Sequence, residues 1–242
     1  CGRSITGEFL SLDDTTHILN NPWLQSGDIG HFWRSAHYSL FIPVTYTIWT
    51  IVFHIWPSAM AFHLLNIVLH VLNSWLLFWL ARKLLSSRKQ GAVEMAEWGR
   101  QMFALIAALV FALHPFQVET VAWISGGRDL LAGFFGLSAT IVAWNTADRL
   151  FPSWAAILRR IVATLLFVFG LLCKPGLAVL PLAVKWLSWF TERRGLKWAM
   201  MWFWLGLGAA VGGMTLQVQS DLIRNRVGNI GNWDTHIIAF DA

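Results

Sequence analysis

Ala61-Phe-His63-Leu-Leu-Asn66-Ile-Val-Leu-His70-Val-Leu-Asn73-Ser-Trp-Leu-Leu-Phe-Trp-Leu-Ala81 decides the fold. No Asp, Glu, Lys or Arg interrupts it. At about 1.5 Å per residue a helix of this length crosses the roughly 30 Å of a bilayer's hydrocarbon. The helix is not apolar all round: His63, Asn66, His70 and Asn73 recur at helical spacing and share one face. Polar side chains in lipid are costly and turn toward protein, so the run belongs to a bundle. His70 and Asn73, deep in it, read as hydrogen-bond partners of neighbouring helices. His63 and Asn66, nearer its outer end, are candidates to touch a substrate. His63 and His70 stand two turns apart, so no metal is expected from them.

The composition agrees. The 242 residues are 56% hydrophobic and 13% charged, with 16 Trp, 17 Phe and a mean hydropathy of +0.54. A soluble domain carries about 25% charged residues. Half that charge, with many rings to crowd the interfaces, marks a polytopic membrane protein. The net charge of +5 lies in short Lys/Arg clusters between apolar runs. Such clusters set topology, and no nucleic-acid partner is expected. Cys1 and Cys173 are far apart and fit no metal spacing. There is no 20–50-residue repeat.

Further apolar runs lie at 98–116, 130–147, 161–173, 176–190 and 198–217, the third and fourth of them short. Upstream, 44–56 suggests an interfacial or re-entrant helix. The expected fold is an all-α bundle of about six transmembrane helices. Arg82, Lys83, Arg88 and Lys89 follow the first span, Arg149, Arg159 and Arg160 the third, and Arg193, Arg194 and Lys197 the fifth. By the positive-inside rule these loops are cytoplasmic. The expected units are an extracytoplasmic loop with a juxtamembrane helix at 1–60, the bundle at 61–217 and a truncated extracytoplasmic tail at 218–242. An upstream span is expected to be missing before Cys1.

This topology gathers Asp13, Asp14, His63, His114, Glu119, Arg128 and Lys174 at the outer face. Asp13-Asp14 reads either as a helix-capping loop or as a general base, or a metal- or phosphate-handling site, offered to a substrate arriving from lipid. In His114-Pro-Phe-Gln117-Val-Glu119 through Gly126-Gly127-Arg128-Asp129, the glycines read as a turn and Asp129 as a helix cap. Arg128 is suited to a charge-assisted grip on a phosphate. Lys174, at a break between two short runs, breaks the positive-inside pattern and either anchors the interface or binds phosphate. A divalent cation shared by the acids has no visible ligand set of adequate number.

These blocks resemble the C-type glycosyltransferases, and most of all the transmembrane and tetratricopeptide-repeat O-mannosyltransferases with their bacterial relatives. The matching segments are Leu12-Asp13-Asp14 through Asn20, Ile42-Pro43-Val-Thr-Tyr46, His63-x-x-Asn66-x-x-x-His70-x-x-Asn73, Leu113-His114-Pro115, Val118-Glu119-x-Val-Ala-Trp123, Arg128-Asp129-Leu-Leu131, and Lys174 through Pro181. They run in order over roughly residues 7–182. The resemblance implies an enzyme moving sugar from a polyprenyl-phosphate lipid to a hydroxyl of a protein or glycan, in contact with membrane lipids and at the extracytoplasmic face. That face is the periplasm for a bacterial inner membrane, or the lumen for an endoplasmic reticulum membrane. The family's essential acid maps onto Asp13 or Asp14; from their charge, Arg128 and Lys174 are expected to hold the donor phosphate, with Glu119, His114, His63 and Asn66 expected to support or contact substrate. Attack in one displacement inverts the sugar. The chain departs from the pattern at Ile42, Gln117, Gly127 and Pro175, and it lacks the usual first span and the repeats. A non-catalytic subunit, assembling with other membrane proteins, is the alternative. A transporter fits less well, since the acids lie outside the spans.

Overall fold

The computed structural model describes residues 14–38, 40–86, 96–144, 154–190 and 198–238. Asp13 and the basic residues Arg88, Lys89, Arg149, Arg193, Arg194 and Lys197 lie outside the described residues. A π-turn at Thr15–Leu19 leads into α1 (Pro22–Ser26), α2 (Ile29–Phe32) and α3 (Pro43–Ile55). Then come α4 (Ala59–Ser86), α5 (Glu97–Leu113), α6 (Gln117–Ala122), a 3₁₀ turn at Ile124–Gly126 and α7 (Gly127–Trp144). Finally α8 (Trp154–Cys173), a 3₁₀ turn at Pro175–Val179, α9 (Leu180–Phe190) and α10 (Trp198–Ile238) follow.

Proline sets several boundaries. A residue before proline is driven out of the helical region. Thus α5 ends where His114 turns extended (φ −66°, ψ 132°) before Pro115, and α8 where Lys174 does so (φ −152°, ψ 110°) before Pro175. Pro43 opens α3 at a first-turn position, where its missing N–H costs nothing.

Three helices are long and apolar enough to cross a membrane: Ala59–Ser86, Trp154–Cys173 and the Trp198–Val218 part of α10. Among the described residues there is no strand, only a bridge between His37 and Leu40. The chain is an all-α integral membrane protein. The other expected runs fall on shorter elements: α5 has 17 residues, α7 has 18, and 176–190 divides into a 3₁₀ turn and α9. Two elements are longer than expected. The run at 161–173 is the end of a 20-residue helix starting at Trp154. Its Arg159 and Arg160 read as loop in the sequence, but their apolar stems let them lie along a helix with the charges at an interface. The stretch at 218–238 continues the last helix, so α10 has 41 residues.

α4, α7 and α8 lie side by side, with α5 on the outside of α4 and α10 against α8 and the Pro175–Val179 turn. The α7–α8–α10 seam buries Ala139, Ala143, Ala163, Phe167, Leu171 and Trp204. Phe167 stacks on Trp204 at 4.5 Å between ring centroids. Where hydrocarbon surrounds the bundle, packing rather than water drives such contact, and small residues allow it. His70 and Asn73 join helices as the sequence suggests: His70 Nε2 lies 3.0 Å from Ala112 O of α5, and Asn73 Nδ2 donates to Leu130 O of α7 at 2.9 Å.

Candidate functional site

The first turn of α4, the start of α7 and the end of α8 lie at one end of the bundle, beneath the segment carrying Asp14. That segment is fastened by its own chemistry. Ile18 and Leu24 are fully buried with Phe32, Tyr46 and Trp49. Asn21 donates from Nδ2 to His17 O at 3.0 Å and accepts from Leu24 N–H at 3.2 Å. His17 Nδ1 lies 2.7 Å from the Tyr46 hydroxyl, and Phe32 stacks on Tyr46 at 4.5 Å. Order here comes from rings and caps on several short elements.

Asp14 is 2% exposed. Its Oδ1 accepts the Ser125 N–H at 3.0 Å, across 111 residues of chain. The carboxylate therefore holds the N-terminal segment onto the Ile124–Gly126 turn. His63, 3% exposed, feels the Asp14 charge, yet neither of its ring nitrogens has a hydrogen-bond partner among the described residues. One turn on, Asn66 Nδ2 donates to Trp123 O at 2.7 Å, two residues before Ser125. Trp49 Nε1 is also buried without a partner among the described residues. A Cβ placed on Gly127 would lie 2.7 Å from Asn66 Oδ1 and 3.3 Å from Trp49 Nε1. The backbone of α7 thus starts hard against both side chains.

Buried polar groups are nearly always satisfied, and each exception calls for a reason. Here the Asp14 carboxyl group, the His63 imidazole and the Trp49 indole N–H lie in one region. A carboxyl group and an imidazole are side chains able to accept and relay protons.

The remaining candidates divide. Lys174 Nζ pairs with the Asp129 carboxylate. Asp129 thus sits in the first turn of α7 but reaches across to the α8 break, beyond the capping role read from sequence. Arg128, half-buried beside it, makes no ion pair among the described residues. His114 and Glu119 are exposed. His114 Nδ1 accepts the Phe116 N–H at 3.3 Å within its own turn. The structure brings together Asp14, His63 and Asn66, places Arg128 and Lys174 at the same bundle end, and leaves His114 and Glu119 exposed at the α5–α6 corner. Trp49, Ser125 and Gly127 complete the Asp14 region. A tryptophan in an aromatic run and a backbone N–H carry no signal in the sequence, and Gly127 read there only as a turn residue and a departure from the family pattern. Among the described residues no group of His, Cys, Asp and Glu could hold a metal ion.

His37 supplies a pH-dependent element in the ring cluster above the site. Burial pulls its imidazole below its ordinary value of 6.5, against the opposing contact with Thr16 O. A histidine depressed in the fold takes up protons on unfolding. Its contribution to stability is therefore full above about pH 6.5 and declines as pH falls through the folded value. Thermal unfolding in detergent should show a lower midpoint at pH 5 than at pH 7.5, and His37→Gln should flatten that difference. Equal pH dependence in the two proteins would show that His37 contributes nothing to it.

Comparison with known proteins gives several relatives, all named as O-mannosyl-transferases. Protein O-mannosyl-transferase TMTC4 of Homo sapiens is 32% identical over 153 residues, 56% of this chain and 20% of the relative. Protein O-mannosyl-transferase TMTC1 of Homo sapiens is 29% identical over 161 residues, 61% of this chain and 17% of the relative. The Tmtc1 protein of Drosophila melanogaster is 32% identical over 117 residues, 48% and 12% of the two chains. The chain thus spans a fifth or less of the length of these relatives. No family model matches, and no solved structure does. Their names are those of the family that the motifs of this chain resemble.

Proposed function

We propose that this chain is the membrane-embedded part of a glycosyltransferase that transfers a sugar from a polyprenyl-phosphate lipid to a hydroxyl of a protein at the extracytoplasmic face. The relatives' names favour mannose as that sugar. The observation that carries the reading is the buried Asp14 carboxylate, held on Ser125 N–H in the region of His63, whose ring nitrogens have no partner among the described residues. In the reaction an acceptor oxygen attacks the anomeric carbon while the bond from that carbon to the phosphate oxygen breaks. The electron pair leaves on the phosphate, and the hydroxyl proton passes to the carboxylate. One displacement inverts the anomeric centre. Arg128 neutralises the departing phosphate. Lys174 joins it once the donor's phosphate competes for its contact with Asp129. Asn66 fixes the loop on which Ser125 holds the base.

Transfer of labelled sugar from a polyprenyl-phosphate donor to Ser/Thr peptides, by the protein in lipid vesicles, tests the reading directly. Release of labelled peptide that disappears in Asp14→Asn or Asp13→Asn supports it and tells the two acids apart. Transfer undiminished in both variants removes the acidic pair. Arg128→Gln should raise the KM for donor about tenfold, the loss of one charge-assisted phosphate contact, with little change in KM for peptide.

A second reading has its own observation. The burial of Asp14 and the pairing of Lys174 with Asp129 suit a structural subunit equally well. A protein that binds neither donor nor peptide, yet co-purifies stoichiometrically with other membrane proteins, decides for that role.

A further inference from the structure

At the bundle end opposite Asp14, a cavity of about 470 Å³ opens between α8 and α10. Ile161 and Leu165 of α8 and Ala199, Met200 and Phe203 of α10 wall it, with Arg160 at its polar end. From Arg160 to Lys174 the rise along α8 is about 20 Å at 1.5 Å per residue, so this groove is separate from the Asp14 region. The volume lies within the roughly 300–1,000 Å³ of small-molecule sites.

Charge and surroundings indicate the occupant. Arg160 makes no ion pair among the described residues. On α4, Lys83 is already engaged, its Nζ donating to Ile141 O at 3.0 Å. Exposed Trp154, Trp198 and Trp202 mark this end as an interface, and Lys185 lies 4.2 Å over the Trp198 ring. The back of the groove is closed where Trp204 Nε1 donates to Thr164 Oγ1 at 3.0 Å, leaving an apolar trough open to hydrocarbon.

We propose that this groove holds an anionic phospholipid of the adjacent leaflet, its phosphate on Arg160 and one acyl chain against Ile161, Leu165, Met200 and Phe203. The site owes nothing to the catalytic reading and stands if that reading fails. A lipid chain fits the apolar walls, and a phosphate at headgroup depth meets the unpaired guanidinium, which suits it bidentately.

Native mass spectrometry of the delipidated full chain, titrated with phosphatidylglycerol or phosphatidylcholine, provides the test. One phosphatidylglycerol should be retained about fivefold more tightly than phosphatidylcholine, the worth of about one cation at a membrane surface. Arg160→Gln should remove that preference while leaving phosphatidylcholine binding unchanged. Ala199→Trp, which fills the trough, should abolish retention of both lipids at unchanged helical content. Arg82→Gln, at the same end but outside the groove and paired with Glu97, should leave the preference intact. Equal binding of both lipids by the parent protein would overturn the proposal. So would an equal loss in Arg82→Gln and Arg160→Gln, which would reduce the effect to general surface charge. Retention of lipid by a folded Ala199→Trp protein, or protection by inorganic phosphate alone, would do the same.

Discussion

Asp14→Asn is expected to lower sugar transfer by about a hundredfold or more, the usual loss on removing a general base, while the protein stays folded. The separation is possible because of where Asp14 sits. Its Oδ1 accepts the Ser125 N–H at 3.0 Å, and an asparagine carbonyl accepts the same bond from the same position. The isostere therefore keeps that bond and loses the proton acceptor. Asp14→Ala loses both, and leaving a buried N–H without an acceptor adds a cost of about 1–3 kcal/mol. The two variants together distinguish a base from a strut. If Asp14→Asn is active and only Asp14→Ala fails, with a lowered unfolding midpoint, the residue is a strut and catalysis rests elsewhere. If Asp14→Asn is inactive at an unchanged midpoint, the carboxylate charge itself is required. His63→Gln gives a third reading: an imidazole that relays the proton shifts the pH profile of transfer when removed, and a packing residue does not.

How much of this was legible beforehand varies with sequence distance. The face of α4 bearing His63, Asn66, His70 and Asn73 follows from spacing within one helix, and the structure uses each residue toward protein. The sequence singled out the acidic pair but not the seat of Asp14: Ser125 is 111 residues away, and the contact is to a backbone N–H that every sequence supplies. Trp49 was hidden for a related reason, since in an aromatic run any ring could face any partner. Lys174 stood out by breaking the charge pattern, while its partner Asp129 had a sufficient local explanation as a cap. The run before Cys173 looked short because a charge count treats Arg159 and Arg160 as the end of a span, whereas the backbone continues helically to Trp154. Periodicity is local and survives in the sequence. Pairings across bundle ends depend on how the helices stack.

Gly127→Ala is expected to damage the site from outside the reacting groups. The new methyl would stand 2.7 Å from Asn66 Oδ1 and 3.3 Å from Trp49 Nε1, and neither neighbour has an easy retreat. Asn66 is held by its 2.7 Å bond to Trp123 O, and Trp49 is only 1% exposed. Something must shift, and overpacking of this kind costs about 1–3 kcal/mol. The functional loss should be larger than the stability loss. Asn66 positions Trp123, two residues before Ser125, and lies one turn from His63, so movement there reaches the carboxylate seat. A displacement near 1 Å at a reacting group can cost about a hundredfold in rate. Asn66→Ala combined with Gly127→Ala makes room for the methyl, so the unfolding midpoint should recover relative to Gly127→Ala alone while transfer stays low, a coupling that contact predicts. Gly133→Ala serves as the comparison, because its methyl would meet no atom nearer than Asn73 Nδ2 at 3.3 Å, deeper in the bundle. It should lower stability modestly and leave the rate constant of transfer near that of the parent. If Gly127→Ala instead retains both midpoint and rate, Asn66 is free to move aside, and the α4–α7 junction does not set the geometry of Asp14.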